Sequence, residues 1–99
     1  MDAPVGTVTL VFTDIQGSTE LWERLGKAFQ PILDLHNRIF RAAIATHDGY
    51  EVKTAGDAFM VAFQCADHAL NFALDVQEQL LLATWSEQLL AESHATSTA

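Results

Sequence analysis

The chain has 99 residues, 49% of them hydrophobic, which suffices for one small domain and excludes two separate cores. Its formal net charge of −8 argues against nucleic acid as a partner, because such binders carry basic surfaces. No run approaches the roughly 20 apolar residues of a membrane span, so we expect no direct membrane insertion by this segment. The single cysteine, Cys65, cannot form an internal disulfide; we expect it to be buried, in a protein of a reducing compartment.

Residues 7–13 are β-branched and apolar almost throughout, which predicts a first strand buried on both faces or nearly so. Asp14 follows this strand directly. A run of small and polar residues then ends the strand, and Ser18 or Thr19 can cap a helix that begins at Glu20. The loop after the first strand therefore leads into a helix N-terminus.

Gly26 interrupts this helix, and apolar residues then recur with helical spacing to about Thr46. The inward positions of this long helix are Phe29, Ile32, Leu33, His36, Ile39, Phe40, Ala43 and Ile44. Two short apolar runs, 50–54 and 58–63, follow with Ala-Gly-Asp between them. They predict an antiparallel hairpin whose tip carries Asp57.

The helical pattern returns from residue 66 to about 83 and predicts a second amphipathic helix. Residues 86–99 end in a low-complexity stretch, and we expect them to form a disordered tail. The order strand, helix, strand, strand, helix predicts an α+β fold, an α/β sandwich of the ferredoxin-like split βαβ type. Such a fold has a further strand after its second helix, so we expect a fragment that is truncated after this helix.

Two aspartates stand at the ends of predicted strands. If those strands pair side by side, the carboxylates of Asp14 and Asp57 come together, and with the carbonyl of Ile15 they form a site for a hard cation such as Mg²⁺. The alternative is that Asp14 caps a helix and Asp57 makes local hydrogen bonds in its turn, which is the commoner use of aspartate. The helix N-terminus that follows favours the cation site, because free backbone amides there can receive a triphosphate.

The chain resembles the class III adenylyl and guanylyl cyclases in two strings, residues 11–19 (Val-Phe-Thr-Asp-Ile-Gln-Gly-Ser-Thr) and 49–60 (Gly-Tyr-Glu-Val-Lys-Thr-Ala-Gly-Asp-Ala-Phe-Met). Both motifs have the order, the distance and the strand and turn context of that family. The resemblance covers residues 6–85, which implies a partial nucleotidyl cyclase catalytic domain. It is strongest to the fungal and trypanosomatid adenylyl cyclases.

The resemblance implies a role for each matching residue. Asp14 and Asp57 match the aspartates that bind two divalent cations, Mg²⁺ or Mn²⁺, and Ile15 matches the residue whose carbonyl ligates one of them. Two such ions can activate the ribose 3′-hydroxyl of ATP and stabilise the pyrophosphate leaving group. The loop that accepts the phosphates matches Gly17, Ser18 and Thr19.

Lys53 matches the family's purine-reading position, which is lysine in adenylyl cyclases and glutamate in guanylyl cyclases. A lysine has only donors and can give a hydrogen bond to N1 of adenine, whereas N1 of guanine carries a proton and needs an acceptor. The alternative is a lysine whose ammonium simply reaches solvent from a strand. The resemblance favours the purine-reading role and hence ATP as substrate.

The chain departs from the family pattern because no Asn-x-x-x-Arg motif follows residue 60, and a second base-reading residue is missing. Family active sites form between two catalytic domains, so the resemblance implies a homodimer or a heterodimer with another cyclase domain, in which Lys53 and Asp14 of one chain act in different sites. We expect the parent protein to make cyclic AMP for intracellular signalling, and this segment alone to be weak or inactive.

The alternative hypothesis is a catalytically inactive cyclase-homology module that binds nucleotide or pairs with a complete cyclase domain. A palm-type polymerase or a diguanylate cyclase would share the metal chemistry, but no Gly-Gly-Asp-Glu-Phe-like turn is present. The expected location is the cytoplasm, either free or as the cytosolic part of a membrane-anchored parent protein.

Overall fold

A three-stranded antiparallel sheet with helices against one face forms the framework of the computed structural model, which describes residues 2–85 and residue 90. The elements in chain order are β1 (Thr9–Thr13), α1 (Ser18–Leu25), a 3₁₀ turn (Gly26–Ala28), α2 (Phe29–Thr46), β2 (Tyr50–Ala55), β3 (Ala58–Phe63) and α3 (Ala66–Leu82). The predicted α+β order is confirmed. The tail predicted for residues 86–99 lies outside the described residues, apart from residue 90.

The sheet has the strand order β1-β3-β2, and β3 pairs antiparallel with both of its neighbours. The predicted hairpin of β2 and β3 is thereby confirmed. In the other pairing, Thr9 lies opposite Phe63 and Thr13 lies opposite Phe59, so the end of β1 is next to the start of β3. This register brings the loop after β1 close to the hairpin tip.

The core lies between this sheet and the helices α2 and α3. Its centre is a group of phenylalanines, Phe40, Phe59, Phe63 and Phe72, whose neighbouring rings have centroids 5.2–6.2 Å apart. A second apolar cluster forms around Phe29 at the start of α2, and residues of α1 and Trp85 pack against it. None of the helices in the described part of the chain is long and apolar enough to cross a membrane.

The first strand differs from its prediction in length and in burial. It begins at Thr9 rather than at residue 7, and it is not buried on both faces, since Leu10 is 46% exposed and Phe12 is 68% exposed. The helices contact only the opposite face of the sheet, where Val11 packs against the core. The strand β1 is therefore apolar on both faces, although the helices cover only one of them.

Two local predictions were wrong. The helix α1 begins at Ser18, and its N-cap is Gly17, in the left-handed conformation and without a side-chain capping bond. The turn before the helix needs the positive φ of that glycine, so neither Ser18 nor Thr19 occupies the cap. Cys65 is exposed rather than buried, because it is the extended N-cap residue of α3, where the chain passes from sheet to helix at the surface.

Gly49 provides a test of how tightly α2 and the hairpin meet. A Cβ atom at this buried position would lie 2.8 Å from Cε2 of Phe63 and 3.0 Å from Cγ1 of Val61. We expect Gly49→Ala to lower the free energy of unfolding by about 1–3 kcal/mol, as overpacking of a core does. Urea denaturation measures this. Combining Gly49→Ala with Phe63→Leu should cost less than the sum of the two single changes, and simple additivity would contradict the contact.

Candidate functional site

The carboxylate of Asp57 reaches across the sheet to the loop after β1. Its Oδ2 atom accepts a hydrogen bond of 2.6 Å from the backbone amide of Ile15, a residue 42 positions earlier in the chain. Asp14 is the neighbour of that amide and is exposed, while Asp57 is half-buried. Asp57 thus joins the hairpin tip to the end of β1, which differs from the local turn bond that aspartate often makes.

The predicted metal ligands of this segment are all oxygens. The carbonyl of Ile15 accepts the amide of Ser18 at 3.2 Å, and since a carbonyl has two lone pairs, one remains for a further partner. Within the part of the chain that the structure describes, no three His, Cys, Asp or Glu side chains come together as a metal-binding group. The predicted ligands, two carboxylates and a carbonyl, would be a sparse donor set of the kind with which Mg²⁺ is bound, together with water and substrate phosphates.

The predicted phosphate loop, Gly17 to Thr19, forms the turn that leads into α1. The amide of Leu21 donates to the carbonyl of Gly17, which starts the helix, and the amide of Ser18 is already used by Ile15. The amides of Thr19 and Glu20 precede the first complete helical turn, so the helix offers them no carbonyl. The amides of Thr19, in the predicted loop, and of Glu20, directly after it, therefore have no acceptor within α1.

Lys53 is exposed on β2 and lies opposite Met60 of β3. It lines a shallow depression of about 530 Å³ on the open face of the sheet, together with Phe12 and Asp14. Its lining also includes small residues at the end of the hairpin, Ala55 and Ala58. One chain therefore places Lys53 and Asp14 along the same depression, and their separation into different sites of a dimer stays a prediction.

A buried histidine near this site was not singled out from the sequence. His36 of α2 is 4% exposed, stacks on Phe40 with ring centroids 4.2 Å apart, and shares a hydrogen bond of 2.9 Å with Asn37. Burial lowers its pKa, and this outweighs the raising effects of Asn37 and of the charge on Asp57. His36 also lines an apolar cavity of about 580 Å³ that reaches Asp14. Its inward position was predicted, but its proximity to Asp57 depends on the tertiary fold.

The family model described as the adenylate and guanylate cyclase catalytic domain matches residues 2–95. An adenylate cyclase of Lachancea kluyveri is 49% identical over 86 residues, which are 87% of this chain and 5% of that protein. A receptor-type adenylate cyclase of Leishmania donovani, form B, is 38% identical over 87 residues, 88% of this chain and 6% of that protein. The chain therefore spans about one twentieth of the length of such relatives.

The fold is similar to that of solved structures as well. A structure described as an adenylate cyclase from Trypanosoma brucei in its monomeric state superposes with a TM-score of 0.82 at 37% identity. The superposition covers 87% of this chain and 37% of that one. The predicted resemblance to fungal and trypanosomatid adenylyl cyclases is confirmed.

The buried His36 predicts a pH dependence of stability. Its folded-state pKa is lower than the ordinary value of 6.5, so the unfolded chain binds the proton more readily. The contribution of His36 is fully present above pH 6.5 and is lost as the pH falls from there towards the folded-state pKa. In chelator-containing buffer, we expect the free energy of unfolding to fall between pH 7 and pH 5.5 less steeply in His36→Leu than in the wild type. Equal slopes would show that His36 is protonated equally in both states.

Proposed function

Since the chain belongs to the adenylate and guanylate cyclase catalytic domain family, we propose that it supplies the metal-binding and purine-reading part of an adenylate cyclase. The reaction would convert ATP into 3′,5′-cyclic AMP and pyrophosphate, for intracellular signalling from the cytoplasm. The hydrogen bond between Asp57 and the amide of Ile15 is the observation that carries this proposal. It brings the carboxylate of Asp57 to the strand end that Asp14 follows, where a triphosphate could also meet the N-terminus of α1.

Asp14, Asp57 and the carbonyl of Ile15 would hold two divalent cations, Mg²⁺ or Mn²⁺. The donor chemistry fits, because a carboxylate has about four acceptor positions and the amide of Ile15 uses only one of those of Asp57. Bound there, the ions would supply activation of the 3′-hydroxyl and charge stabilisation on the pyrophosphate. Asp57, tethered to Ile15, would keep its orientation whether or not an ion is bound.

The N-terminus of α1 would orient the triphosphate. Gly17 and Ser18 shape the turn, and the amides of Thr19 and Glu20 can donate to phosphate oxygens, in the direction that the helix dipole also favours. This use of backbone donors suits a chain with a net charge of −8, which has few cationic side chains to give to an anionic substrate.

Lys53 would select adenine. Lys53 lines a depression together with Phe12, Met60 and small residues, and an apolar lining of this kind can contact the flat face of a purine. A donor there matches N1 of adenine and meets a proton at N1 of guanine. ATP rather than GTP is therefore the proposed substrate.

A second cyclase domain, from another copy or from a different chain, would cover the open sheet face. Support comes from Leu10 and Phe12, which are exposed apolar side chains on the face that carries Lys53. Apolar surface of this kind is stabilised by contact with a partner. A complete cyclase domain as the partner would also bring the ribose and transition-state donors for which residues 61–99 have no matching motif, whereas a second copy of these 99 residues would not.

The cation site can be tested without turnover. We expect Asp14→Asn and Asp57→Asn each to weaken binding of Mn²⁺, in the presence of ATP, at least tenfold, since each removes a ligand charge. Electron paramagnetic resonance of free Mn²⁺ measures this. The carboxamide introduced by Asp57→Asn keeps an oxygen that can accept the bond from Ile15, so the fold should persist. Asp34→Asn, the same change on the exposed side of α2, is the matched control and should bind as the wild type does.

Activity separates the catalytic hypothesis from the hypothesis of a non-catalytic module. In the full-length natural protein, Asp14→Asn should reduce cyclic AMP formation by about 10² or more, because a group that would act on the transition state is lost. Mass spectrometry of the products from ATP and from GTP gives the result. Binding of Mn²⁺ and ATP without any cyclic product would favour the non-catalytic nucleotide-binding module instead.

Lys53 has its own prediction. We expect Lys53→Ala to lower the ratio of ATP to GTP affinity about tenfold, the worth of one hydrogen bond from a charged donor. Competition between Mn²⁺ complexes of the two nucleotides measures the ratio. Lys27→Ala removes a charge of the same kind from the 3₁₀ turn and should leave the ratio unchanged. An equal loss in both variants would mean that Lys53 acts through net charge alone.

A further inference from the structure

The strand β2 contains one extra residue that has no pairing partner in β3. Glu51 pairs with Val61 and Lys53 pairs with Met60, so Val52 is an extra residue, a β-bulge. With an even register, Lys53 would lie opposite Phe59, whose side chain is 1% exposed in the core. The bulge turns Lys53 to the open face of the sheet, where the depression lies.

The bulge also brings together two side chains that a regular strand would separate. Residues three apart point to opposite faces of a regular strand, because side chains alternate. Here Glu51 and Thr54 both lie on the helix-covered side, as partners of the buried Val61 and Phe59. The hydroxyl of Thr54 donates a hydrogen bond to Oε2 of Glu51 and so spans the bulge.

An arginine from α2 completes the arrangement. Nε of Arg41 donates to Oε1 of Glu51 at 3.1 Å, and Nη2 donates to Oε2 at 3.3 Å, so the carboxylate is held at two points. The guanidinium also lies over the ring of Phe59, 5.2 Å from its centroid. The bond from Arg41, and secondly that from Thr54, lowers the pKa of the Glu51 carboxyl.

We propose that Arg41, Glu51 and Thr54 form a clamp that fixes the bulge at Val52 and thereby positions Lys53 for purine selection. The purine-reading role of Lys53 rests on the proposed function above, whereas the clamp itself concerns only the register of β2. The three are positioning residues, because they act through the direction that they give to Lys53.

The size of the interactions indicates what their loss would do. The side chains of Arg41 and Glu51 are 52% and 31% exposed, and an ion pair at such a surface contributes little to overall stability. A fully regular register stays unfavourable without the clamp, since it would bury the charge of Lys53. The bulge can instead shift by one residue, which leaves Lys53 unpaired and less fixed. We therefore expect a local loosening rather than unfolding.

The test compares variants that break the clamp with variants that keep it. Thr54→Val removes the hydroxyl at constant shape, and Arg41→Gln removes the two-point contact. Thr54→Ser keeps the donor, and Arg38→Gln makes the same change one turn earlier on α2. NMR measures the nuclear Overhauser effects between Lys53 and the methyl group of Met60, and nucleotide competition measures the ratio of ATP to GTP affinity in Mn²⁺.

We expect Thr54→Val and Arg41→Gln to weaken the contacts between Lys53 and Met60 and to lower the affinity ratio about fivefold, a part of the worth of one charged hydrogen bond. The binding of Mn²⁺ itself should not change. Thr54→Ser and Arg38→Gln should behave as the wild type in both measurements, which a general loss of stability would not produce.

The two readouts distinguish the clamp from the proposed function. Unaltered contacts between Lys53 and Met60 in Thr54→Val and Arg41→Gln would overturn the clamp, whatever the nucleotide results. A second outcome is that the contacts change but the ratio of ATP to GTP affinity does not respond even to Lys53→Ala. This would overturn the purine-reading role, and the clamp would then only fix the register of β2. A ratio that responds to Lys53→Ala but not to the clamp variants would overturn the positioning role.

Discussion

The antiparallel pairing of β1 with β3 is the constraint on which the candidate site depends. Neither aspartate is near the other in sequence, and only the register that sets Thr13 opposite Phe59 places the end of β1 beside the hairpin tip. The bond from the Ile15 amide to Asp57 then closes that corner of the sheet. Because this bond uses a carboxylate on a backbone donor, it is of the stronger, charge-assisted kind. The site is therefore a consequence of strand pairing in the core.

The two faces of the sheet differ in their surroundings, because the helices cover one face and the other carries the candidate site. Phe59 and Phe63 point to the helices and pack with Phe40 and Phe72, so the covered face contributes most of the apolar burial. The open face exposes Leu10 and carries the depression with Lys53. A strand contributes alternate residues to each face, so β1 supplies Val11 to the core and Phe12 to the open face from neighbouring positions.

The sequence predicted the elements well because their signals are local. The helical period from Phe29 onward and the turn before Asp57 depend on near neighbours, and both appear at the expected positions. Burial was harder to predict, because an apolar run such as β1 has the same appearance whether one face is covered or two. Cys65 was predicted to be buried from its residue type, but its exposure follows from its place at a helix start.

The candidate site was predictable as a set of residues but not as a geometry. The motifs supplied Asp14, Asp57 and Lys53, and the assumption that their strands pair side by side predicted that the two aspartates meet. The acceptor role of Asp57 towards a backbone amide, and the position of His36 near it, depend on contacts between distant segments. A pattern of alternating residue types likewise does not reveal the bulge at Val52. One extra residue there reverses the sheet face on which each later residue of β2 lies.

The position of that bulge separates two properties that share one hairpin. Lys53 and Asp57 are four residues apart, but Lys53 belongs to the outer strand β2, whereas Asp57 directly precedes β3, which lies in the middle of the sheet. A shift of register in β2 changes its pairing with one edge of β3 and leaves the pairing of β3 with β1 intact. The direction of Lys53 can therefore vary while the corner formed by Asp57 and Ile15 stays in place. With Lys53 in the proposed purine-reading role, a change of purine preference through β2 would leave the carboxylates that would hold the cations undisturbed.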